Sequence, residues 1–235
     1  MLQRAHIDAT AVHVHSGCMK IAVLGTGTVG ETIADKLVSL GHHVTMGSRT
    51  RDNTKAVAWT TRAGERAAQG SFADAVAGAD LVFLCTLGAA AVEALTAAGA
   101  DALAGKVIVD TTNPLDFSRG MPPRLFVVGD DSLGEQIQRA FPRSHVVKAL
   151  NTIGAPIMVE PSRVPGEHVT FLAGNDADAR TRVRTVLTEG FGWQKVIDLG
   201  DITGARATEA YLLVWLRLWG ALQTPMFNIQ ITTGA

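Results

Sequence analysis

The stretch KIAVLGTGTVGETIADKLVSLG (Lys20–Gly41) decides how the rest of the chain is interpreted. It begins with a short apolar run, passes through a glycine-rich turn and continues as a segment whose apolar residues recur at helical spacing. Val29, Ile33 and Leu37 share one face of this predicted helix. Gly41 supplies the stop signal that commonly follows a helix. A strand, a glycine turn and an amphipathic helix in this order predict the first unit of an α/β fold.

The glycine turn, GTGTVG, matches the pattern G-x-G-x-x-G between a predicted strand and a predicted helix. Gly25 permits a tight turn, Gly27 lets backbone amides approach a pyrophosphate, and Gly30 lets the helix pack closely on the sheet. The helix N-terminus adds unsatisfied N–H groups and the positive end of the helix dipole. The alternative is a glycine turn with a structural role only. We predict that the turn binds a dinucleotide through six residues, which are Gly25, Thr26, Gly27, Thr28, Val29 and Gly30.

The second predicted strand ends in Gly47-Ser48-Arg49, where a protein that prefers NAD usually carries an acidic residue. A carboxylate at this point would bind the 2′-hydroxyl of NAD and repel the 2′-phosphate of NADP. Ser48 can donate to a phosphate oxygen, and the planar guanidinium of Arg49 suits a phosphate. Arg51 is near enough in sequence to add a second charge. These residues predict a preference for NADP; the alternative is a solvated turn whose arginines bind nothing.

Apolar runs of strand character recur along the chain, separated by segments of helical period. They lie at residues 43–46, 81–85, 106–110, 145–150, 169–174 and 193–199. Because these runs are apolar throughout rather than alternating, the sheet should be parallel and covered on both faces. We predict a Rossmann-type, doubly wound α/β fold with a mainly parallel sheet, followed by a small C-terminal α/β extension that ends in a buried helix.

Two further local patterns predict helices. Residues 51–69 are polar and rich in alanine, which favours a helix over that range. Ser71 and Ser132 are each placed to cap the N-terminus of a following helix, and Glu135 stands at the capping-box position after Ser132.

Composition excludes several classes of function. Charged residues make up 18% of the 235 residues and the net charge is −1, with no basic block, so neither nucleic acid nor an anionic membrane is an expected partner. Cys18 and Cys85 are too few for a disulfide framework or a zinc site, and no metal is expected. A cytoplasmic location is the default expectation. The apolar segment Tyr211–Leu222 is too short to span a bilayer and carries Arg217.

Five segments in this order carry a resemblance to a known family. They are MKIAVLGTGTVGETIADKLVSLGHHVTMGSR (19–49), VIVDTTNPL (107–115), VVKALNTI (146–153), TFLAGNDADA (170–179) and DLGDITGARATEAYLLVWLRL (198–218). Together the segments resemble the NADP oxidoreductases that depend on the deazaflavin coenzyme F420, to which the reductase domain of the STEAP metalloreductases is related. The resemblance covers residues 19 to about 230.

The resemblance implies direct hydride transfer between the nicotinamide of NADP(H) and C5 of the deazaflavin. Such a reaction needs no general acid at the carbon that receives the hydride, and we identify no catalytic acid or base in the sequence. The protein must hold the two rings face to face at roughly 3–3.5 Å and exclude water. The alternatives are reduction of a flavin or another small acceptor by NADPH, or an NADPH-binding sensor without catalysis.

The resemblance also implies further site residues. The cofactor should contact four residues that follow the predicted strands, Thr86, Leu87, Asn113 and Pro114. The nicotinamide and the second ring should be bordered or covered by Asn151, Thr152, Ala155 and Ile202. Where members often carry Pro and a bulky residue after the strand at 81–85, this chain has TLGAA, and it has NTIGA at residues 151–155. Both departures concern the pocket of the second ring rather than the NADP site.

We expect the chain to be organised in three parts. Residues 1–18 form an N-terminal extension that is expected to be disordered, and residues 19–152 form the NADP-binding domain. Residues 153–235 form a small C-terminal domain with the second-ring pocket and a dimer contact. The last helix is apolar on almost every side, with Trp215 and Trp219 one turn apart, so it should be buried against a partner. Family members assemble as homodimers, and we expect the same here.

Overall fold

The computed structural model describes residues 17–234. The predicted N-terminal extension, residues 1–18, therefore lies outside the described residues except for Gly17 and Cys18. Its predicted disorder remains a prediction.

The described part of the chain contains ten strands, eight of which form one sheet. The strands are β1 (Lys20–Leu24), β2 (His43–Ser48), β3 (Ala67–Ser71), β4 (Leu81–Leu84), β5 (Val107–Asp110), β6 (Leu115–Asp116), β7 (Arg124–Leu125), β8 (His145–Ala149), β9 (Thr170–Gly174) and β10 (Val196–Asp198). The large sheet has the order β10-β9-β8-β5-β4-β1-β2-β3, while β6 and β7 pair with each other as a short antiparallel hairpin.

Helices cover both faces of the large sheet. They are α1 (Thr28–Ser39), α2 (Thr54–Ala63), α3 (Phe72–Val76), α4 (Ala91–Ala98), α5 (Ala100–Leu103), α6 (Leu133–Ala140), α7 (Ala155–Val159), α8 (Ala177–Thr185) and α9 (Ala205–Leu222). Short 3₁₀ turns at Gly88–Ala90, Pro161–Arg163 and Ile202–Gly204, and a π-helical turn at Val186–Gly190, complete the helical segments.

Strand pairing confirms a mainly parallel, doubly wound sheet. Every pair in the large sheet is parallel except β8 with β9. Strand β1 pairs with β2 on one side and β4 on the other, so the chain reverses its direction of travel across the sheet at β1. In sheets of this kind a crevice forms at that point, outside the carboxyl ends of the strands, and ligands bind there.

Alternate residues of each central strand enter two separate cores. Ile21 and Val23 of β1 belong to the core on one face, whereas Ala22 and Leu24 belong to the core on the other. Since successive side chains of a strand point to opposite faces, a strand covered on both sides must be apolar at every position. The continuous apolar runs in the sequence have this cause.

Local capping follows the sequence closely at two helices. Ser71 accepts a hydrogen bond from the amide of Asp74 and starts α3 with a full capping box. Ser132 caps α6 by accepting from the amide of Glu135, as predicted. The predicted capping box does not form, because the carboxylate of Glu135 accepts from the hydroxyl of Ser132 rather than from its amide, and it also binds the guanidinium of Arg206 at 2.6 and 2.8 Å.

The helix predicted over residues 51–69 is only partly correct. Helix α2 ends at Ala63, Gly64 has a positive φ of 86°, and Ala67–Ser71 forms the edge strand β3 beside β2. Alanine and glutamine favour helices by local propensity, but pairing with an adjacent strand overrides that preference. Helices α4 and α5 are likewise separated at Gly99, which has φ 96°.

The C-terminal third extends the same sheet. The unit β9–α8–β10 is parallel within itself but antiparallel to β8. After α9 the chain returns to the sheet, where the carbonyl of Ile229 accepts a hydrogen bond of 3.0 Å from the amide of Val169. Among the helices described between residues 17 and 234, none is both long and apolar enough to cross a membrane.

Candidate functional site

A cleft of about 630 Å³ opens at the carboxyl edge of the sheet, where β1, β2 and β4 end. It is lined by Gly25, Thr26, Gly27, Thr28, Val29, Ser48, Arg49, Asn53, Phe72, Cys85, Thr86, Leu87, Ala90, Glu93, Ala94 and Ala97. The structure thus brings most of the predicted dinucleotide turn together with Ser48, Arg49, Thr86 and Leu87. The cleft lies at the switch point where this class of sheet binds its ligand.

The three glycines of the motif are explained by different physical constraints. A Cβ on Gly25, which has φ 128°, would lie 2.5 Å from the carbonyl oxygen of Cys85, and one on Gly30 would lie 2.2 Å from the carbonyl oxygen of Gly25. Both are needed for the turn and helix α1 to pack. A Cβ on Gly27 would meet nothing within 4 Å. The protein itself does not require glycine at this position, so the open space there suits a ligand that must touch the backbone.

Helix α1 presents its N-terminus to this space. Gly27 is its N-cap and makes no side-chain hydrogen bond, so the amides of the first turn are not capped by the cap residue. Uncapped amides and the helix dipole together favour an anion. The residues present therefore fit the pyrophosphate of a dinucleotide.

Ser48 and Arg49 lie on one side of the cleft and differ in their burial and in their contacts. Ser48 is buried, and its hydroxyl donates to the carbonyl of Thr50 at 2.5 Å, so it must rotate before it can donate to a phosphate. Arg49 is exposed at the cleft and forms no ion pair with any residue between 17 and 234. Its guanidinium is thus available to an anionic ligand.

Arg51 is engaged elsewhere. Its guanidinium makes a bidentate ion pair with Asp74, at 2.6 and 2.8 Å, and it does not line the cleft. Asp74 also accepts hydrogen bonds from the hydroxyl and the amide of Ser71. The bonds from Ser71 and Arg51 lower the pKa of Asp74 to about 2, which keeps this partner of Arg51 charged at neutral pH.

The end of β4 supplies another wall of the cleft. The side-chain oxygen of Thr86 is buried and has no hydrogen-bond partner among the described residues, whereas Leu87 is 77% exposed. A buried hydroxyl without a partner is costly unless a ligand satisfies it. Burial raises the pKa of the neighbouring Cys85 thiol to about 12, so this thiol is neutral and cannot act as a nucleophile at neutral pH.

Asn113 and Asn151 form an amide pair that joins the ends of β5 and β8. The side-chain nitrogen of Asn113 donates to the backbone carbonyl of Asn151 at 2.8 Å, and the side-chain nitrogen of Asn151 donates to Oδ1 of Asn113 at 3.0 Å. Leu150, just before Asn151, has a positive φ of 64°, a strained conformation for a leucine. The structure brings the two predicted asparagines together, beside the lined cleft rather than within its lining.

The remaining predicted residues lie deeper or to one side. Pro114 follows Asn113, and its carbonyl accepts a hydrogen bond from Phe126. Thr152 is buried, Ala155 starts α7, and Ile202 is 6% exposed within the core that contains Leu133. None of these residues lines the cleft, and Gly30 and Arg51 do not either.

The C-terminal tail covers the turn that follows Thr152. The carbonyl oxygen of Pro225 lies 2.8 Å from the position that a Cβ on Gly154 would occupy. Only a glycine can therefore accept the tail at this contact. A pocket for a second ring at Asn151–Ala155 must be shared with this tail, and it stays a prediction.

A buried ionic cluster beside the asparagine pair was not found from the sequence. The ammonium of Lys148 lies 2.6 Å from a carboxylate oxygen of Asp110 and 2.9 Å from one of Glu209, and donates to the carbonyl of Thr112 at 2.8 Å. Glu209 also accepts from the amides of Leu133 and Gly134 at the start of α6. Lysine within an apolar strand is the one signal that could have pointed to this cluster.

Charge pairing decides the state of that cluster. Burial alone would lower the pKa of Lys148, but the carboxylates of Asp110 and Glu209 raise it above its usual value. Lys148 is therefore cationic in the folded protein. It ties the segment after β5 to α9 and the N-terminus of α6.

Sequence reasoning also missed part of the cleft lining. Asn53 caps α2, and Phe72 begins α3. On the other side, Ala90, Ala94 and Ala97 fall on one face at helical spacing, with Glu93 next to them. The spacing of small residues along α4 is visible in the sequence. Only the position of α4 beside the glycine turn shows that these residues line the cleft.

The fold and the cleft define a class of protein. A doubly wound sheet carries a G-x-G-x-x-G turn at its switch point, and the acidic residue after β2 is replaced by an arginine that has no acidic partner among the described residues. This combination is that of an NADP-dependent oxidoreductase with a Rossmann-type domain.

Comparison with known proteins identifies the family. The model of the family described as NADP oxidoreductase, coenzyme F420-dependent, matches residues 20–114. The chain is 30% identical over 202 residues to the F420-dependent NADP reductase of Methanothermobacter marburgensis, covering 81% of this chain and 88% of that protein. The chain belongs to the F420-dependent NADP oxidoreductase family.

Two further relatives agree with this assignment. A crystal structure from Arthrobacter sp. FB24, of a protein provisionally named an F420-dependent NADP-reductase, is 54% identical with a TM-score of 0.88, covering 92% of this chain and 100% of that one. The metalloreductase STEAP3 of Rattus norvegicus is 27% identical over 223 residues, covering 90% of this chain. The match spans only 40% of the length of STEAP3.

Proposed function

We propose that this NADP-dependent oxidoreductase transfers a hydride between NADP(H) and the deazaflavin coenzyme F420. The observation that carries the proposal is the chemistry of the cleft. Among the described residues that line it, Arg49, Cys85 and Glu93 are the titratable ones, and the Cys85 thiol is neutral. The lining offers a cation for phosphate but no evident acid–base pair, which suits a transfer between two rings that needs none. Family membership names the deazaflavin as the second ring.

The proposed NADP site follows from the geometry of the cleft. The turn Gly25–Gly30 binds the pyrophosphate through the amides of α1, while Ser48 and Arg49 bind the 2′-phosphate. Thr86 and Leu87 flank the cofactor, and Thr86 donates its otherwise unpartnered hydroxyl. When bound, NADPH supplies a hydride from its nicotinamide ring. These residues fix the orientation of the cofactor and take no part in proton transfer.

The proposed place of the second ring is at the ends of β5 and β8. The mutual hydrogen bonds of Asn113 and Asn151 hold that edge rigid, which a face-to-face arrangement of two rings requires. Pro114, Thr152 and Ala155 border the same edge, and Ile202 supports it from the core. In this proposal residues 19–152 carry the NADP half of the site, and residues 153–235 complete the pocket of the second ring and supply the dimer contact.

We also propose a homodimer in which α9 contributes to the interface. From Leu213 onward, α9 exposes large apolar side chains, Leu213 (43%), Val214 (51%), Trp219 (42%) and Leu222 (53%). Its N-terminal half is buried through Ala205, Thr208, Glu209 and Leu212. A concentration of exposed large apolar side chains on one element is typical of a protein–protein contact. A second copy of the chain is the partner that the family implies.

The test is anaerobic mixing of the protein with NADPH and oxidised F420, while the visible band of the deazaflavin is followed. We expect bleaching that depends on NADPH and is slower with NADH. FMN is run in parallel, and NADPH binding is measured separately by the fluorescence of the reduced nicotinamide.

Three other outcomes would contradict the proposal. Turnover with FMN but not with F420 would make the protein a flavin reductase. Tight NADPH binding without turnover of either acceptor would favour a sensor. Absence of NADPH binding would overturn the cofactor site itself.

A further inference from the structure

The wall of the cleft formed by α4 has a composition that suits a purine base. Ala90, Ala94 and Ala97 give it a largely apolar surface, and Phe72 at the start of α3 adds an aromatic ring to the cleft lining. The proposed site places the pyrophosphate at the glycine turn after β1 and the 2′-phosphate beside Ser48 and Arg49 after β2. The lining that remains is Asn53, Phe72, the segment after β4 and α4, which leaves this part of the cleft for the adenine.

One carboxylate interrupts this apolar wall. Glu93 is the only acidic residue among the described residues that line the cleft. It is exposed and forms no hydrogen bond or ion pair with any other described residue. A carboxylate beside an anionic cofactor is unfavourable unless it meets a donor, so its presence in the lining calls for a partner.

We propose that Glu93 recognises the adenine of NADP(H) by accepting a hydrogen bond from its exocyclic amino group. This inference rests on the proposed NADP site and adds a specificity for the base. The amino group is the only hydrogen-bond donor on the adenine ring of the cofactor, and an ionised carboxylate can only accept. Hypoxanthine carries a carbonyl oxygen in place of that amino group, and its ring donor is moved to N1–H, so a carboxylate placed against the amino group would face an oxygen instead. Glu93 thus selects against a dinucleotide that contains hypoxanthine.

The test is a binding titration that needs no electron acceptor. NADPH and its hypoxanthine analogue, deamino-NADPH, are titrated against the wild type, Glu93→Gln and Glu65→Gln, using the fluorescence of the reduced nicotinamide. Glu65 is an exposed carboxylate outside the cleft lining, so Glu65→Gln controls for the same change in net charge. Circular dichroism verifies that each variant is folded.

We expect the wild type and Glu65→Gln to bind NADPH about tenfold more tightly than deamino-NADPH, the effect of one hydrogen bond to a charged group. In Glu93→Gln the preference should fall to within about twofold, because an amide can donate to the carbonyl as well as accept from the amino group.

The alternatives give distinct results. An unchanged preference in Glu93→Gln would overturn the inference. An equal gain in affinity for both dinucleotides would also overturn it, since Glu93 would then only repel the phosphates. If the wild type binds neither dinucleotide, the proposed NADP site fails together with the inference; if it binds both equally, the inference alone fails.

Discussion

At the scale of single residues, identical amino acids in and around the cleft have different structural roles. Gly25 and Gly30 are required by backbone atoms within 2.5 Å of where their Cβ would lie, whereas Gly27 faces open space. Arg49 and Arg51 stand two positions apart, yet within residues 17–234 only Arg51 has an acidic partner, Asp74. Such differences allow paired substitutions that separate binding from folding.

The glycine turn gives the first prediction. Gly27→Ala should lower the thermal midpoint only slightly, through the poorer N-cap preference of alanine, because its Cβ meets nothing within 4 Å, but it should weaken NADPH binding. A loss of about tenfold or more, roughly 1.4 kcal/mol, is expected if the new methyl group displaces the pyrophosphate. The matched control Gly30→Ala should unfold at a clearly lower temperature. Undiminished NADPH affinity in Gly27→Ala would place the phosphates elsewhere.

The arginines give the second prediction. Arg49→Ala should cost about 1–3 kcal/mol of NADPH binding, the range for a lost charged hydrogen bond, with NADH binding nearly unchanged. Arg51→Ala should cost less, because the Arg51 guanidinium is already bound to Asp74. Isothermal titration of both cofactors measures the two effects. Equal losses for NADPH and NADH would refute the assignment of the 2′-phosphate site to Arg49.

At the scale of elements, the ends of the parallel strands are held by polar contacts rather than by the apolar core. The Asn113–Asn151 pair joins β5 to β8 at their carboxyl ends. Lys148 lies between Asp110 of β5 and Glu209 of α9. Because all of these groups are buried or nearly so, each depends on its partner for solvation. The edge of the sheet that faces the proposed rings is therefore rigid but sensitive to single charge deletions.

The ionic cluster gives the third prediction. Lys148→Met leaves two buried carboxylates without their cation and should lower the free energy of unfolding by about 3–5 kcal/mol in urea titrations. The triple variant with Asp110→Asn and Glu209→Gln should recover part of the loss. A single variant as stable as the wild type would show that the cluster contributes nothing to folding.

The pH dependence of this cluster has a definite sign. The pKa of Lys148 is raised in the folded state above its ordinary value of 10.5. Its stabilising contribution is therefore fully present below that pH and is lost only as the pH rises above it. Because Lys148 stays charged around neutral pH, its titration should not change the difference in unfolding free energy between wild type and Lys148→Met there. In strongly alkaline solution this difference should shrink as the ammonium loses its proton.

At the scale of the whole molecule, the last helix, α9, runs from the buried core to the protein surface. Glu209 in its first half joins the buried cluster, while Trp219 in its second half is 42% exposed. Trp215 lies between these regions and stacks on Phe227 of the C-terminal tail, with ring centroids 5.4 Å apart. A partner bound to the second half of α9 would thus also steady the tail that covers Gly154.

This arrangement gives the fourth prediction. Trp219→Glu should convert the proposed dimer into a monomer in sedimentation velocity, because a carboxylate would be buried without a partner at the interface. Val57→Glu on α2 is the control, since Val57 is equally exposed, at 42%, on another helix. Substitution of Trp215 is a poorer probe, because it also disturbs Phe227. A wild type that sediments as a monomer, or a Trp219→Glu variant that remains a dimer, would contradict the proposal.

Local signals in the sequence were sufficient to predict the fold class and to place the glycine turn at the switch point of the sheet. Continuous apolar runs, helical periods, the glycine pattern and the Ser-Arg ending of β2 are all properties of short segments, and spacing and composition express them directly. The predicted N-caps at Ser71 and Ser132 are confirmed for the same reason. The family resemblance added the expectation of a deazaflavin and of a second-ring pocket, which stay predictions.

Tertiary structure alone decided which residues meet. The edge strand β3, the antiparallel direction of β9, the Arg51–Asp74 pair, the asparagine pair and the Lys148 cluster all depend on contacts between segments far apart in the chain. No local pattern encodes these contacts, because a side chain's partner is set by how the strands are ordered and how the helices pack on them. The sequence by itself thus determined the strands, the helices and the glycine turn of this protein. Tertiary packing determined which strands and which side chains contact each other.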